Sequence, residues 1–192
     1  MNARTVLVLG GYGQTGSRLV RLLGQRTDAD VIIAGRDPRK ATALAHELGG
    51  GRVRGVGLDA ADPAAVAGAL QDVDLLVVAA VVPQHVPALA RAAMAAGCDW
   101  LDFQIDRAQA RTLDAMRDEI GDAGRCFVTQ AGFHPGMPAA LVRWAGSHVE
   151  ELRSAWVAGL LAERAGIPAT SGLDELVAGF RDFRSMLYQD GR

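Results

Sequence analysis

Apolar residues fall along this chain in two alternating rhythms. Apolar runs of strand length at 5–9, 30–34, 53–58, 73–79, 99–103 and 126–130, rich in Val, Ile and Leu, predict β-strands. Between them, apolar residues recur at three- and four-residue spacing and predict helices. Asp37-Pro38 supplies an N-cap and a first-turn proline for a helix whose Ala41, Leu44, Ala45 and Leu48 share one face before Gly49-Gly50-Gly51 stops it. Asp62-Pro63 repeats the device. The next stripe is Val86, Leu89, Ala90, Ala93 and Met94, closed by Gly97, and the one after is Leu113, Met116 and Ile120, closed by Gly121. Leu141, Trp144, Ala145 and His148 follow Pro138 on one further helical face, which reads as core or interface. Strands that are apolar throughout need cover on both faces, as helices on either side of a parallel sheet provide. The expected fold is therefore α/β, a Rossmann-type doubly wound parallel sheet.

From about residue 150 the rhythm changes. "LRSAWVAGLLA" reads as a strand, "GIPATSG" as a loop and "LDELVAGFRDFRSMLYQDG" as an amphipathic helix. About forty residues cannot bury a core of their own. Residues 1–149 are thus expected to form a first domain that binds a dinucleotide, and 150–192 either to dock on it or to open something longer. The apolar faces of Trp156–Leu161 and Phe180–Leu187 would then lack their natural cover, so association between copies, as a dimer, is expected.

Composition narrows the function. The 192 residues are 49% apolar with a net charge of -2, and the 20 basic residues are scattered rather than striped, which disfavours nucleic acid as a partner. The longest apolar run, Leu75 to Val82, falls far short of the ~20 residues that cross a bilayer, and the opening residues do not have the order of a signal peptide. A cytoplasmic protein with a small-molecule substrate is expected, and Cys98 and Cys126 are expected to remain thiols.

The stretch "VLVLGGYGQTGSRLV" carries the chemistry. Gly11, Gly13 and Gly16 form GxGxxG directly after the first strand and on entry to a helix bearing Leu19, Val20, Leu22 and Leu23, inside a βαβ unit. One glycine permits a tight turn, one lets backbone N–H groups approach a pyrophosphate, and one lets helix and strand pack closely. Gly10, outside the pattern, eases the strand into the turn. Tyr12, Gln14 and Thr15 complete the loop and count with the glycines as cofactor contacts.

Twenty residues past Gly16, where an NAD site usually carries a carboxylate, stands Arg36, which suits a 2′-phosphate and an adenine face. NADP is favoured, with NAD possible. Asp37 reads as the cap of the next helix, and Asp59 as either an adenine-side contact or a cap before Asp62-Pro63. Ala80, Val82 and Pro83 end the fourth strand, where backbone at Val82-Pro83 would meet the nicotinamide ribose; the alternative is a plain strand end with Pro83 opening a helix. Asp102, at a strand end, is a candidate to orient substrate or relay a proton, or else a loop cap. His134 suits proton transfer near neutral pH, and Gln104 could bind a carboxylate. The Cys and His residues lack metal-ligand spacing, and no metal is expected.

"VLVLGGYGQTGSRLVRLL", "VIIAGRDPRKATALA", "DVDLLVVAAVVPQHVPALARAAMAAGCDWLDF" and "QAGFHPGMPAALVRWA" together resemble the NADP-binding domain of saccharopine dehydrogenase-like oxidoreductases, over about residues 4–149. "LYQDGR" resembles an element of that family's second domain. The resemblance implies hydride transfer between nicotinamide and a C–N bond, an imine formed from an amine and a carbonyl acid. It also implies that 150–192 are the start of an α+β second domain, cut short, and that much of the substrate site and of the dimer contacts belongs to that domain. Two other readings stay open: an NADP(H)-binding sensor without turnover, and an NADP-dependent carbonyl or enoyl reductase.

Overall fold

The computed structural model describes residues 3–105, 107–133 and 136–158. Its centre is a six-stranded parallel sheet of β1 (Thr5–Leu9), β2 (Asp30–Gly35), β3 (Val53–Gly57), β4 (Leu75–Val78), β5 (Asp99–Asp102) and β6 (Phe127–Val128), in the order β3-β2-β1-β4-β5-β6. The helices are α1 (Gln14–Arg26), α2 (Pro38–Glu47), α3 (Pro63–Ala69), α4 (Val86–Ala95), α5 (Arg107–Ala115), α6 (Arg117–Asp122) and α7 (Gly136–Gly146). The order of strand addition reverses between β1 and β4, which opens a crevice at their carboxyl ends.

Alternation of side chains along each strand divides the core in two. Val6 and Val8 face Val20 of α1 and Ala41, Leu44 and Ala45 of α2. Leu7 and Leu9 face the other way, into Val66, Val86, Leu89 and Trp100 under α3 to α6. Burying each such large side chain is worth about 1.5–3 kcal/mol. The doubly wound sheet expected from the sequence is therefore present, and the apolar strands are covered on both faces.

The aspartate-proline starts behave as the sequence implies. Asp37 accepts hydrogen bonds from the N–H groups of Arg39 and Lys40, and Asp62 from those of Ala64 and Ala65. Elsewhere the expectations need correction. Leu22 of α1 is exposed, while Val20 takes the buried position. The helix through Leu113 and Ile120 is broken at Met116 into α5 and α6 and runs past Gly121, with Gly124 at φ +63° closing it. β6 is only two residues long, because Thr129 and Gln130 turn away to bond Asp102.

Helix α7 buries none of its residues and His148 is exposed, so of the core or interface position expected for its apolar face, the core is not seen among the described residues. His148 Nδ1 instead lies 2.8 Å from the Trp144 carbonyl oxygen. Residues 151–158 carry no strand, and the other elements expected at 159–192 lie outside the described residues.

At the amino edge of the sheet one carboxylate joins strand starts. Asp74 accepts from Thr5 N–H at 2.8 Å and from Arg4 at 2.9 Å. Its carboxyl is held below the usual range, first by the Thr5 N–H and then, against some desolvation, by Arg4. Because the folded value is depressed, this stabilisation is present above about pH 4 and is lost as pH falls through the folded value. Asp74→Asn can keep the Thr5 bond through its one amide oxygen and is expected to cost about 1 kcal/mol at neutral pH, mostly the charge assistance of that bond since solvent screens the arginine. In chemical denaturation at stepped pH, the gap to wild type should close on acidification.

Candidate dinucleotide-binding site

The turn after β1 is built from backbone. Gly10 holds φ +79°, a conformation that costs glycine nothing, and its N–H donates to the Ala34 carbonyl at 2.8 Å. Its own carbonyl accepts from Gly13 N–H at 2.9 Å. The left-handed residue of the turn is therefore Gly10, outside the three-glycine pattern; the doublet Gly10-Gly11 after the strand was the sequence signal for it. Gly16, in the first turn of α1, lies so close to the Gly10 carbonyl oxygen that a Cβ would collide with backbone. That contact seats the helix start directly over the strand end.

α1, α2 and α3 begin along this carboxyl edge, as does α4 after its 3-10 turn and likewise without a side-chain cap, and the first three are not alike. α2 and α3 have their first N–H groups satisfied by Asp37 and Asp62. α1 begins at Gly13 with no side-chain cap and with no acidic residue in its first turn. Its leading N–H groups and the positive end of its dipole are thus presented beside the crevice, as an anion requires. A thirteen-residue helix with a glycine-rich approach and no capping side chain fits a pyrophosphate. Gln14 and Thr15 are exposed in that first turn, and Gly11 is buried beneath it, against Val8 and Ile33.

Tyr12 does more than fill the loop. Its ring lies across Gly35 at the end of β2, where an added Cβ would come within 2.6 Å of it, and its hydroxyl accepts from Asp37 N–H at 2.9 Å. With Asp37 also committed to the α2 cap, its carboxylate is held away from ribose-binding duty. Arg36 between them is exposed, directly after β2. Asp59, exposed beyond β3, accepts from Ala61 N–H at 3.0 Å through its side chain, in the turn that leads to Asp62.

On the other side of the crevice, a Cβ on Gly10 would come within 2.9 Å of Ala80, which places the β4 end against the glycine turn. Val82 is half-buried, and Pro83 opens a single 3-10 turn, Pro83–His85, that leads into α4. The Ala80 carbonyl accepts from Gln104 Nε2 at 2.9 Å. Asp102 is fully buried, and its oxygens accept from Trp100 Nε1, Gln104 N–H, Thr129 Oγ1 and Gln130 N–H at 2.8–3.1 Å. His134 lies outside the described residues.

Of the two free cysteines, Cys98 is buried and Cys126 exposed. Burial pushes the Cys98 thiol up to about 12, which leaves it an inert apolar side chain. Among the described residues no group of His, Cys, Asp or Glu is arranged to hold a metal, and no helix is long and apolar enough to cross a membrane.

The model of the family described as saccharopine dehydrogenase NADP binding domain matches residues 6–128. A comparison with curated protein sequences gave no match. Among solved structures, apo saccharopine dehydrogenase (L-Glu forming) from Saccharomyces cerevisiae is similar with a TM-score of 0.64 at 24% identity, over 76% of this chain and 31% of that one. The protein Pen from Bacillus thuringiensis gives 0.55 at 15% identity, over 76% and 56%. An NADPH-dependent quinone oxidoreductase from Escherichia coli in complex with NADPH gives 0.52 at 23%, over 74% and 54%. The chain therefore spans about a third to a half of the length of these relatives, and at such identities the likeness speaks for the fold. With the match covering most of the sheet and the glycine turn, the chain belongs to the saccharopine dehydrogenase NADP-binding domain family, and NADP is its cofactor.

Proposed function

We propose that the chain is the cofactor domain of an oxidoreductase that moves a hydride between NADP and a C–N bond in an amino-acid-like substrate. The observation that carries the cofactor half is the bare, glycine-built start of α1, set beside two neighbouring helices whose starts are capped. The C–N bond is argued from the family and from the saccharopine dehydrogenase relative in particular.

In this reading the first-turn N–H groups of α1 hold the pyrophosphate, with Gly11, Tyr12, Gly13, Gln14, Thr15 and Gly16 forming the cradle. Arg36 pairs with the 2′-phosphate, and Asp59 lies on the adenine side. Ala80, Val82 and Pro83 present backbone to the nicotinamide ribose. When bound, NADP supplies or accepts the hydride. Reduction of an imine places hydride on carbon and a proton on nitrogen, and His134 is the residue proposed to deliver that proton. A second domain that starts near residue 150 would add substrate contacts and join two copies.

The sensor reading has one observation in its favour. The carboxylate of Asp102, a candidate for proton relay from the sequence, is occupied by four donors from the protein itself. Assay of the full-length protein for NADPH oxidation with amine and keto-acid pairs separates the two. Turnover with any pair supports the oxidoreductase, and tight NADPH binding without turnover supports the sensor.

Two substitutions test the cofactor site. Arg36→Ala should weaken NADPH at least tenfold while changing NADH by less than twofold in fluorescence titration, by loss of a charge-assisted contact worth about 1.5–3 kcal/mol. Equal losses for both cofactors would remove Arg36 from the site. Gly16→Ala should cost about 1–3 kcal/mol in stability from backbone collision and should lower affinity for both cofactors alike.

A further inference from the structure

Three loops follow β4, β5 and β6 at the carboxyl edge of the sheet, and a single buried side chain binds two of them directly. Asp102 Oδ1 accepts from Gln104 N–H at 3.1 Å, from Thr129 Oγ1 at 3.0 Å and from Gln130 N–H at 3.0 Å. Oδ2 accepts from Trp100 Nε1 at 2.8 Å. Three of these donors are N–H groups that can only donate, so both oxygens are committed as acceptors. The third loop is reached one residue further on, where Gln104 Nε2 holds the Ala80 carbonyl at 2.9 Å.

The loop after β6 shows why such a clamp is needed. Gln130 stands at φ +58°, a left-handed conformation unusual for a residue other than glycine, aspartate or asparagine. Strain of this kind persists only where the surroundings overdetermine it, and here the Asp102 side chain takes the Gln130 N–H while the Asp102 carbonyl takes the N–H of Ala131 at 2.9 Å. The turn is folded tightly as well. A Cβ on Gly136 would collide with the Gln130 carbonyl, and one on Gly132 would come within 3.3 Å of the Phe103 carbonyl.

In a sheet of order 3-2-1-4-5-6, the β1–β3 half holds the adenosine end of a dinucleotide and the β4–β6 half holds the nicotinamide end. We infer that Asp102 is a positioning residue that, through Gln104 and Gln130, sets the three loops around the nicotinamide half of NADP. It acts through its neighbours and does not exchange a proton with substrate. This assignment rests on the NADP reading above, and it separates the two halves of the site. The adenosine corner, made by Tyr12, Gly35 and Arg36, is independent of the clamp.

The separation can be measured with NADPH and with 2′,5′-ADP, which carries the adenosine half alone. Asp102→Ala should weaken NADPH tenfold or more and leave 2′,5′-ADP within twofold of wild type. Asp102→Asn should restore most of the NADPH affinity, because its one oxygen can still accept from Gln104, Thr129 and Gln130, with only Trp100 left facing an amide N–H. Should Asp102→Ala fail to fold, Gln104→Leu breaks only the tie to Ala80 and should show the same split at about threefold. Equal loss of both ligands would mark a merely structural carboxylate. Unchanged NADPH affinity in both Asp102 variants would also overturn the assignment. A wild-type protein that binds neither ligand overturns the reading of the site itself, and this assignment with it.

Discussion

The approach of α1 to the end of β1 is the constraint on which the rest of the molecule depends. A parallel strand must be left by a crossover, and here the crossover helix begins immediately after the strand. With hydrogen in place of a side chain at Gly16, the first turn of α1 can rest on the Gly10 carbonyl. From that contact follow the direction of the helix dipole, the position of Val20 against Val8 and Ile33, and the exposure of the first N–H groups at the crevice. A larger residue there would lift the helix from the sheet, opening the core and withdrawing the anion site together.

Carboxylates then do the polar work around the edges of the apolar core. Asp37 and Asp62 close helix starts, whereas Asp74 joins strand beginnings at the opposite edge. Asp102 is the buried member of this group, and buried charge is tolerated only where donors surround it. One residue type thus serves as local cap, strand tie or loop clamp according to what the fold brings within reach. The uncapped start of α1 is informative beside α2 and α3, which are capped, and because glycines bring it directly onto the strand end.

Much of this was legible from local pattern. Strand runs and helical stripes mapped onto the sheet because fully apolar strands can be satisfied only between two helical layers. Asp37-Pro38 and Asp62-Pro63 were legible because a cap acts on N–H groups two and three residues away. Gln130 was not: nothing in a glutamine announces a left-handed backbone, and its conformation is imposed by a carboxylate distant in sequence. The short β6 and the break at Met116 were hidden for the same reason, since both depend on what α5, α6 and β5 meet in space. The apolar stripe of α7 was legible as a stripe, but its exposure could not be read from its period.

By itself the sequence determined the fold class, the glycine turn and the arginine at the end of the second strand, because each depends on neighbours close along the chain. Only the tertiary structure decided that Gly10 makes the turn, that Tyr12 lies over Gly35 to hold Asp37 at its cap, and that Asp102 is spent on four bonds. Each of these joins residues brought together by sheet order rather than by spacing. Hydrogen bonds and close contacts act over about 3 Å, and a strand order that sets β1 beside β4 and β5 beside β6 creates neighbours that no local pattern records.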